Sequence, residues 1–132
     1  MSWTDDFIDI PFLPNGRDRN GLDCWGLIYL VYKERLNIEL PQYKDIFIDQ
    51  SIASLKKVAH VMRRERGKWQ KVDIPKENDM IMLRTGKYTW HVGIVIDRRN
   101  MLHIMSGIDS VVEEFTGIQW KNRIEEYRHY AR

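Results

Sequence analysis

Cysteine occurs once in these 132 residues, proline four times and glycine eight times. The lone Cys24 cannot close an internal disulfide, so a cross-linked scaffold is excluded and pairing says nothing of the redox compartment. No run approaches the roughly 20 consecutive apolar residues that cross a bilayer, so no membrane span is expected. The opening residues, Met1-Ser2-Trp3-Thr4-Asp5-Asp6, are acidic and lead into no apolar stretch of signal-peptide length. Synthesis in the cytoplasm without a signal peptide is the expectation. Neither sign of charge dominates: the net charge is +2 and the pI is near 8.7. That balance tolerates an anionic partner surface but does not argue for nucleic acid. There is no internal repeat, no low-complexity tract and no linker. With 43% apolar and 30% charged residues, residues 1–132 are expected to form one domain with a core of its own.

Two segments carry helical periodicity. A run from Leu27 to Leu36 follows Cys24 directly, with Leu27, Leu30 and Val31 at helical spacing, Asp23 as N-cap, and Asn37 and Pro41 as stops. A second spans 51–66, capped by Ser51, with Ile52, Leu55, Val58, Ala59 and Met62 in one stripe. It ends in Arg63, Arg64 and Arg66 before Gly67. Residues 1–23 read as irregular, since Pro11 and Pro14 forbid regular helix and Asn15-Gly16 and Asn20-Gly21 signal turns. After Pro75, short β-like runs take over, near 80–83, 90–96, 101–105, 111–115 and 127–130. Helices first and a meander of strands afterwards predict an α+β fold, with N-terminal helices packed on a five- to six-stranded antiparallel sheet.

Chemistry concentrates at Cys24. A thiol at a helix N-terminus feels the positive end of the backbone dipole, which favours thiolate. His91 opens one strand-like run and His103 lies in the next, which supplies a base and an orienting group for a cysteine nucleophile. Gly93 is costly in a strand unless a neighbouring side chain or a substrate must come close there. The loop between the two runs decides whether the histidines meet. A two-residue loop puts them on opposite faces, whereas a three-residue loop at 97–99 pairs 93 with 103 and sets His103 diagonally beside His91. Trp25 and Trp90 flank the nucleophile and the base, as groove walls or as core. Gly26 either admits a substrate backbone or lets the helix pack closely.

Other patterns carry less. Cys24, His91 and His103 suit zinc by type, but no short ligand pair accompanies them, so no metal and no cofactor are expected. Around Asp18-Arg19-Asn20-Gly21 the acidic spacing is wrong for calcium. Glu113-Glu114 and Glu125-Glu126 are neighbours that point to opposite faces of a strand and make no glycosidase pair. The basic positions from Lys56 to Lys68 fall opposite the apolar stripe and read as a solvated face. His60 and His129 read as ordinary surface or sheet residues.

Taken together, Leu22-Asp23-Cys24-Trp25-Gly26-Leu27, His91-Val92-Gly93-Ile94 and Met101-Leu102-His103 resemble the NlpC/P60 cysteine peptidases, papain-like enzymes that cut the peptide stems of bacterial cell wall. The twelve-residue step from His91 to His103 matches the family's common spacing. Gly16-Arg17-Asp18, the tryptophan after the cysteine, Leu40-Pro41 and Trp120-Lys121-Asn122-Arg123-Ile124 resemble the branch encoded in phage tail gene clusters. The resemblance implies Cys24 as nucleophile, His91 as general base and His103 as the residue that holds His91 in its productive tautomer. Asp23 matches the family's aspartate before the cysteine, and it joins Trp25, Trp90 and Gly93 as a candidate for contact with substrate or oxyanion. The implied substrate is a peptidoglycan stem peptide, cut at the bond between D-γ-glutamate and a diamino acid. Phage tail proteins are the implied partners, and a virion the implied destination after synthesis in a bacterial cytoplasm. One position departs: Phe12 stands where many relatives carry a tyrosine whose hydroxyl helps line the oxyanion site. That departure keeps a non-cleaving tail protein open as an alternative, beside an amidase or acyltransferase of the same fold.

Overall fold

The computed structural model describes residues 2–44, 46, 52–86 and 90–131. Two short strands, β1 (Arg17–Asp18) and β2 (Gly21–Leu22), form a tight antiparallel hairpin that delivers the chain to helix α1 (Cys24–Val31). The lead-in is thus more ordered than its prolines and turn signals imply; it also holds a 3-10 turn over Trp3–Phe7. The Asp23 side chain accepts from the N–H of Gly26, so the first helical residue is Cys24 itself. The regular helix stops at Val31. One wider turn of π-helix, Tyr32–Leu36, continues it to Asn37, whose left-handed backbone (φ 56°) ends it. Seven of the eight α1 residues are buried, so nearly all of its circumference is core.

Helix α2 (Ile52–Arg66) buries Val58, Ala59 and Met62, and its lysines and arginines line the solvated side, as the periodicity predicts. The Ser51 cap and the Ile52 side chain lie outside the described residues. Six strands follow: β3 (Gln70–Val72), β4 (Met80–Arg84), β5 (Trp90–Val95), β6 (Asn100–Met105), β7 (Ile108–Glu114) and β8 (Ile124–His129). They form one sheet in the order β3-β8-β4-β5-β6-β7, with every pairing antiparallel. The α+β class and the antiparallel sheet are as expected. No helix among the described residues is long and apolar enough to cross a membrane.

The sheet has two buried faces. Met80, Met82, Val92, Ile94, Leu102 and Ile104 meet α1 in the larger core. Ile81, Leu83, Val95, Met101 and Phe115 build a second cluster under Trp120. Strand alternation puts His91, Gly93 and His103 on that second face. The pairs Ile94↔Leu102 and Val95↔Met101 extend to 96 opposite 100, where the N–H of Ile96 bonds the Asn100 carbonyl at 2.9 Å. The loop is therefore the three-residue one, 97–99. It is shaped by Asp97, whose Oδ1 accepts from the backbone N–H groups of Arg99 and Asn100, each at 2.9 Å.

Gly93 consequently lies beneath His103. A Cβ on Gly93 would sit 3.3 Å from the His103 Cβ, the Ile81 Cγ2 and the Leu102 carbonyl oxygen. Close approach of the neighbouring strands, with the His103 and Ile81 side chains, accounts for the vacancy. Gly93→Ala is expected to destabilise the fold by about 1–3 kcal/mol through overpacking. Urea unfolding checks this, and an unchanged midpoint would show that the sheet yields at no cost.

Candidate active site

Cys24 begins α1 with its sulfur against the start of β5. The backbone N–H groups of Val92 and Trp25 point at the sulfur and favour thiolate. They are outweighed. Loss of water around the sulfur, reinforced by the Asp23 carboxylate, pushes the thiol up to about 12, and the Arg17 guanidinium offsets little of this. The lowering expected from the helix N-terminus is thus reversed by burial.

His91 and His103 meet as the register requires. The Nε2 of His91 lies 2.8 Å from the Nδ1 of His103, and both residues are buried. Burial, then the neighbouring His103, lowers His91 to about 3, and burial likewise lowers His103. Trp120, only 1% exposed, stacks on the His91 ring (interplanar angle 25°) and lies T-shaped to the ring of His103. The hydrogen-bonded chain continues outward, with Nε2 of His103 2.8 Å from Oε1 of Glu113. The indole N–H of Trp120 donates to that same oxygen, also at 2.8 Å. The sulfur is not a member of this chain; it stands at Val92, the residue after His91.

Glu113 and Trp120 are site residues that sequence reasoning missed. A two-residue turn at Ser106-Gly107, which pairs 105 with 108, would by simple continuation put residue 113 on the face opposite His103. The register shifts between His103 and Met105, so that His103 pairs with Val111 and Met101 with Glu113. One extra residue in β7 moves Glu113 onto the histidine face. Ser110, at that bulge, is buried and tied to the N-terminal segment. Its Oγ donates to the Phe7 carbonyl at 2.6 Å and accepts from the N–H of Ile10 at 2.8 Å. No local sequence signal marks this bulge.

Trp25 and Asp23, also expected near the substrate, are buried and have structural partners. Trp25 is fully buried and donates its indole N–H to the Pro41 carbonyl, so it packs the core and walls no groove. Asp23 is 3% exposed. Its Oδ1 accepts from the Gly26 N–H and from Arg17 Nη1, both at 2.8 Å, and its Oδ2 accepts from the Asn15 N–H at 2.9 Å. Gly26 is small because a Cβ there would stand 2.2 Å from the Gly16 carbonyl oxygen, so it serves packing between α1 and the β1–β2 hairpin. Trp90 stays half-buried between the guanidinium groups of Arg66 and Arg84, at 5.5 and 5.6 Å from its ring centre. Phe12, half-buried, bridges to Leu22 and offers no donor.

The model of the NlpC/P60 family matches residues 9–129. A murein DD-endopeptidase and LD-carboxypeptidase of Escherichia coli, MepS, is 22% identical over 93% of this chain. The chain spans 57% of that relative's length. The NlpC/p60 domain of the peptidoglycan hydrolase SagA superposes with a TM-score of 0.64 at 19% identity, covering 95% of this chain and 91% of that one. NlpC2 of Trichomonas vaginalis gives 0.69 at 16% identity, over 96% of this chain and 44% of its own.

The buried pair of Arg17 and Asp23, each side chain 4% exposed, makes a clear stability test. Arg17→Met leaves a buried carboxylate without its cation and is expected to cost about 3–5 kcal/mol in urea unfolding; a loss below about 1 kcal/mol would show the pair to be dispensable. The histidines give a pH test. His91 is lowered on folding, so between its unfolded value near 6.5 and its folded value of about 3 the unfolded chain binds more protons. Stability is therefore fully present above about pH 6.5 and falls as pH drops towards 3. His91→Asn should flatten that slope in thermal melts between pH 7 and 4, and an unchanged slope would remove His91 as its source.

Proposed function

The chain belongs to the NlpC/P60 family, and from that premise we propose that it is a cysteine hydrolase of peptidoglycan stem peptides. The observation that carries the reading is the buried His91–His103 pair, hydrogen-bonded at 2.8 Å, beside a helix whose first residue is the only cysteine. With Nε2 of His91 engaged by His103, its Nδ1 is the nitrogen left to take the thiol proton. The Sγ of Cys24 attacks an amide carbonyl and forms a thioester. His91 passes the proton to the departing amine, then activates a water that releases the acid. The backbone N–H of Cys24 is the donor for the developing oxyanion, a task in which Phe12 takes no part.

The favoured bond joins D-γ-glutamate to a diamino acid, and half-exposed Trp90, the residue before the base, is a candidate for contact with the substrate. The favoured setting is a phage tail that opens the wall locally, after synthesis in a bacterial cytoplasm. The sequence motifs shared with tail-encoded relatives support this setting. A second reading, a tail protein that keeps the fold without cleaving, draws on two observations: Phe12 lacks the hydroxyl, and burial disfavours the thiolate.

Digestion of purified peptidoglycan, read by mass spectrometry, separates the two. Wild type is expected to release stem-peptide fragments with one new amine and one new carboxyl terminus. Cys24→Ala is expected to lose on the order of 10⁴ or more in rate, as for removal of a covalent nucleophile. Identical fragment patterns from both proteins would end the hydrolase reading.

A further inference from the structure

We infer that Glu113 is a positioning residue that sets the tautomers of both imidazoles and thereby leaves a bare nitrogen on His91. The catalytic part of this inference rests on the hydrolase reading above; the protonation pattern does not.

Donor and acceptor inventories locate each hydrogen. Glu113 Oε1 already accepts the Trp120 indole N–H, a group that can only donate. A carboxylate oxygen can only accept, so the 2.8 Å contact with His103 requires the hydrogen on His103 Nε2. Burial lowers His103 and so favours its neutral form; a neutral ring with its hydrogen on Nε2 has a lone pair at Nδ1. The 2.8 Å contact between that atom and His91 Nε2 can be a hydrogen bond only if His91 donates. Neutral His91, with its hydrogen on Nε2, has a bare Nδ1. One carboxylate thus dictates, through two hydrogen bonds, which nitrogen of the proposed base is able to accept a proton. Without it, His103 is free to carry its hydrogen on Nδ1 and bond His91 Nε2 as a donor, which moves the His91 hydrogen to Nδ1 and blocks the base.

The same inventory predicts how variants divide. In Glu113→Gln the Trp120 N–H still demands an oxygen, so the amide carbonyl takes the place of Oε1 and can accept from His103 as well. Glu113→Ala removes the acceptor. Trp120→Phe removes one donor and leaves the carboxylate on His103.

The test is long-range ¹H–¹⁵N correlation of histidine-labelled protein at pH 7.5, with kinetics on stem-peptide substrate. Wild type, Glu113→Gln and Trp120→Phe are expected to show both rings protonated at Nε2. Glu113→Ala should show mixed tautomers at His103 and a protonated Nδ1 at His91. Its kcat should fall by about tenfold or more at unchanged KM, with recovery in Glu113→Gln. If Glu113→Ala does not fold, Glu113→Asp withdraws the carboxylate by one methylene and supplies the same readout. Unshifted tautomers in both Glu113→Ala and Glu113→Asp, or equal damage in Glu113→Gln and Glu113→Ala, would overturn the inference. Should wild type show the tautomers without hydrolysis, the hydrolase reading fails and the positioning role stands. Hydrolysis with tautomers indifferent to residue 113 would instead uphold the hydrolase reading and remove the positioning role.

Discussion

The passage of His103 over the bare backbone of Gly93 is the contact on which the arrangement of the site depends. A Cβ on Gly93 would stand 3.3 Å from the His103 Cβ, the Ile81 Cγ2 and the Leu102 carbonyl oxygen alike, so a side chain fits there only if several neighbours shift. The apposition exists because three residues separate the paired positions 96 and 100, which puts 93 and 103 on one face. It is held from the far side by β7, whose extra residue turns Glu113 inward to meet His103. A slip of one residue between β5 and β6 would send one histidine to the α1 core and leave the other with an unpaired nitrogen in an apolar interior, where such a group is costly; a slip between β6 and β7 would turn Glu113 away from His103.

A second constraint fixes the sulfur. Arg17 and Asp23 form a buried ion pair that gains little as a pair, because both ions give up water, but is expensive to break. Its value lies in direction. Asp23 caps α1 at Gly26 and holds the Asn15 N–H, and Arg17 reaches the carbonyls of Gly16 and Gln42 at 2.6 Å each. Both segments that flank the cysteine are thereby locked to it. The carboxylate that does this also opposes charge on the neighbouring thiol, so position is gained against reactivity.

The legible part of the fold is the part written locally. Alternation from Met80 to Met105 and the stripe of α2 mark their elements within a residue or two. Strand β3, two exposed polar residues and the half-buried Val72 held by β8, carries no pattern of its own, and β8 begins three residues earlier than its apolar character implies because Glu125 and Glu126 interrupt it. In the site, Cys24, His91 and His103 stand out by type and spacing. Their relation turns on a loop length that the sequence states as a condition, and the three-residue loop meets it. Glu113 and Trp120 are out of reach because a bulge changes the parity of β7, and parity alone decides which of two adjacent glutamates faces inward. Adjacency to the cysteine suggests that Trp25 and Asp23 lie near the substrate. Helical geometry turns the first into the core, and capping claims the second.

Burial also governs the charge state of the site. Trp120 covers both imidazoles, and the loss of water lowers His91 while it raises Cys24. Both shifts favour the uncharged thiol and imidazole over a standing ion pair. Under the proposed mechanism the charges therefore arise together, as the carbonyl carbon takes the sulfur's electrons and the imidazole takes its proton. Around the buried imidazoles, each fixed partner of those charges counts for more than it would in solvent. The N–H groups of Val92 and Trp25 stand at one end, facing the sulfur. The carboxylate of Glu113 stands at the other, two hydrogen bonds from the His91 ring, where a positive charge on either imidazole would meet it. A half-buried thiol held above its ordinary value and a depressed histidine are then compatible with catalysis, because the groups that favour their charged forms are already in place and aligned.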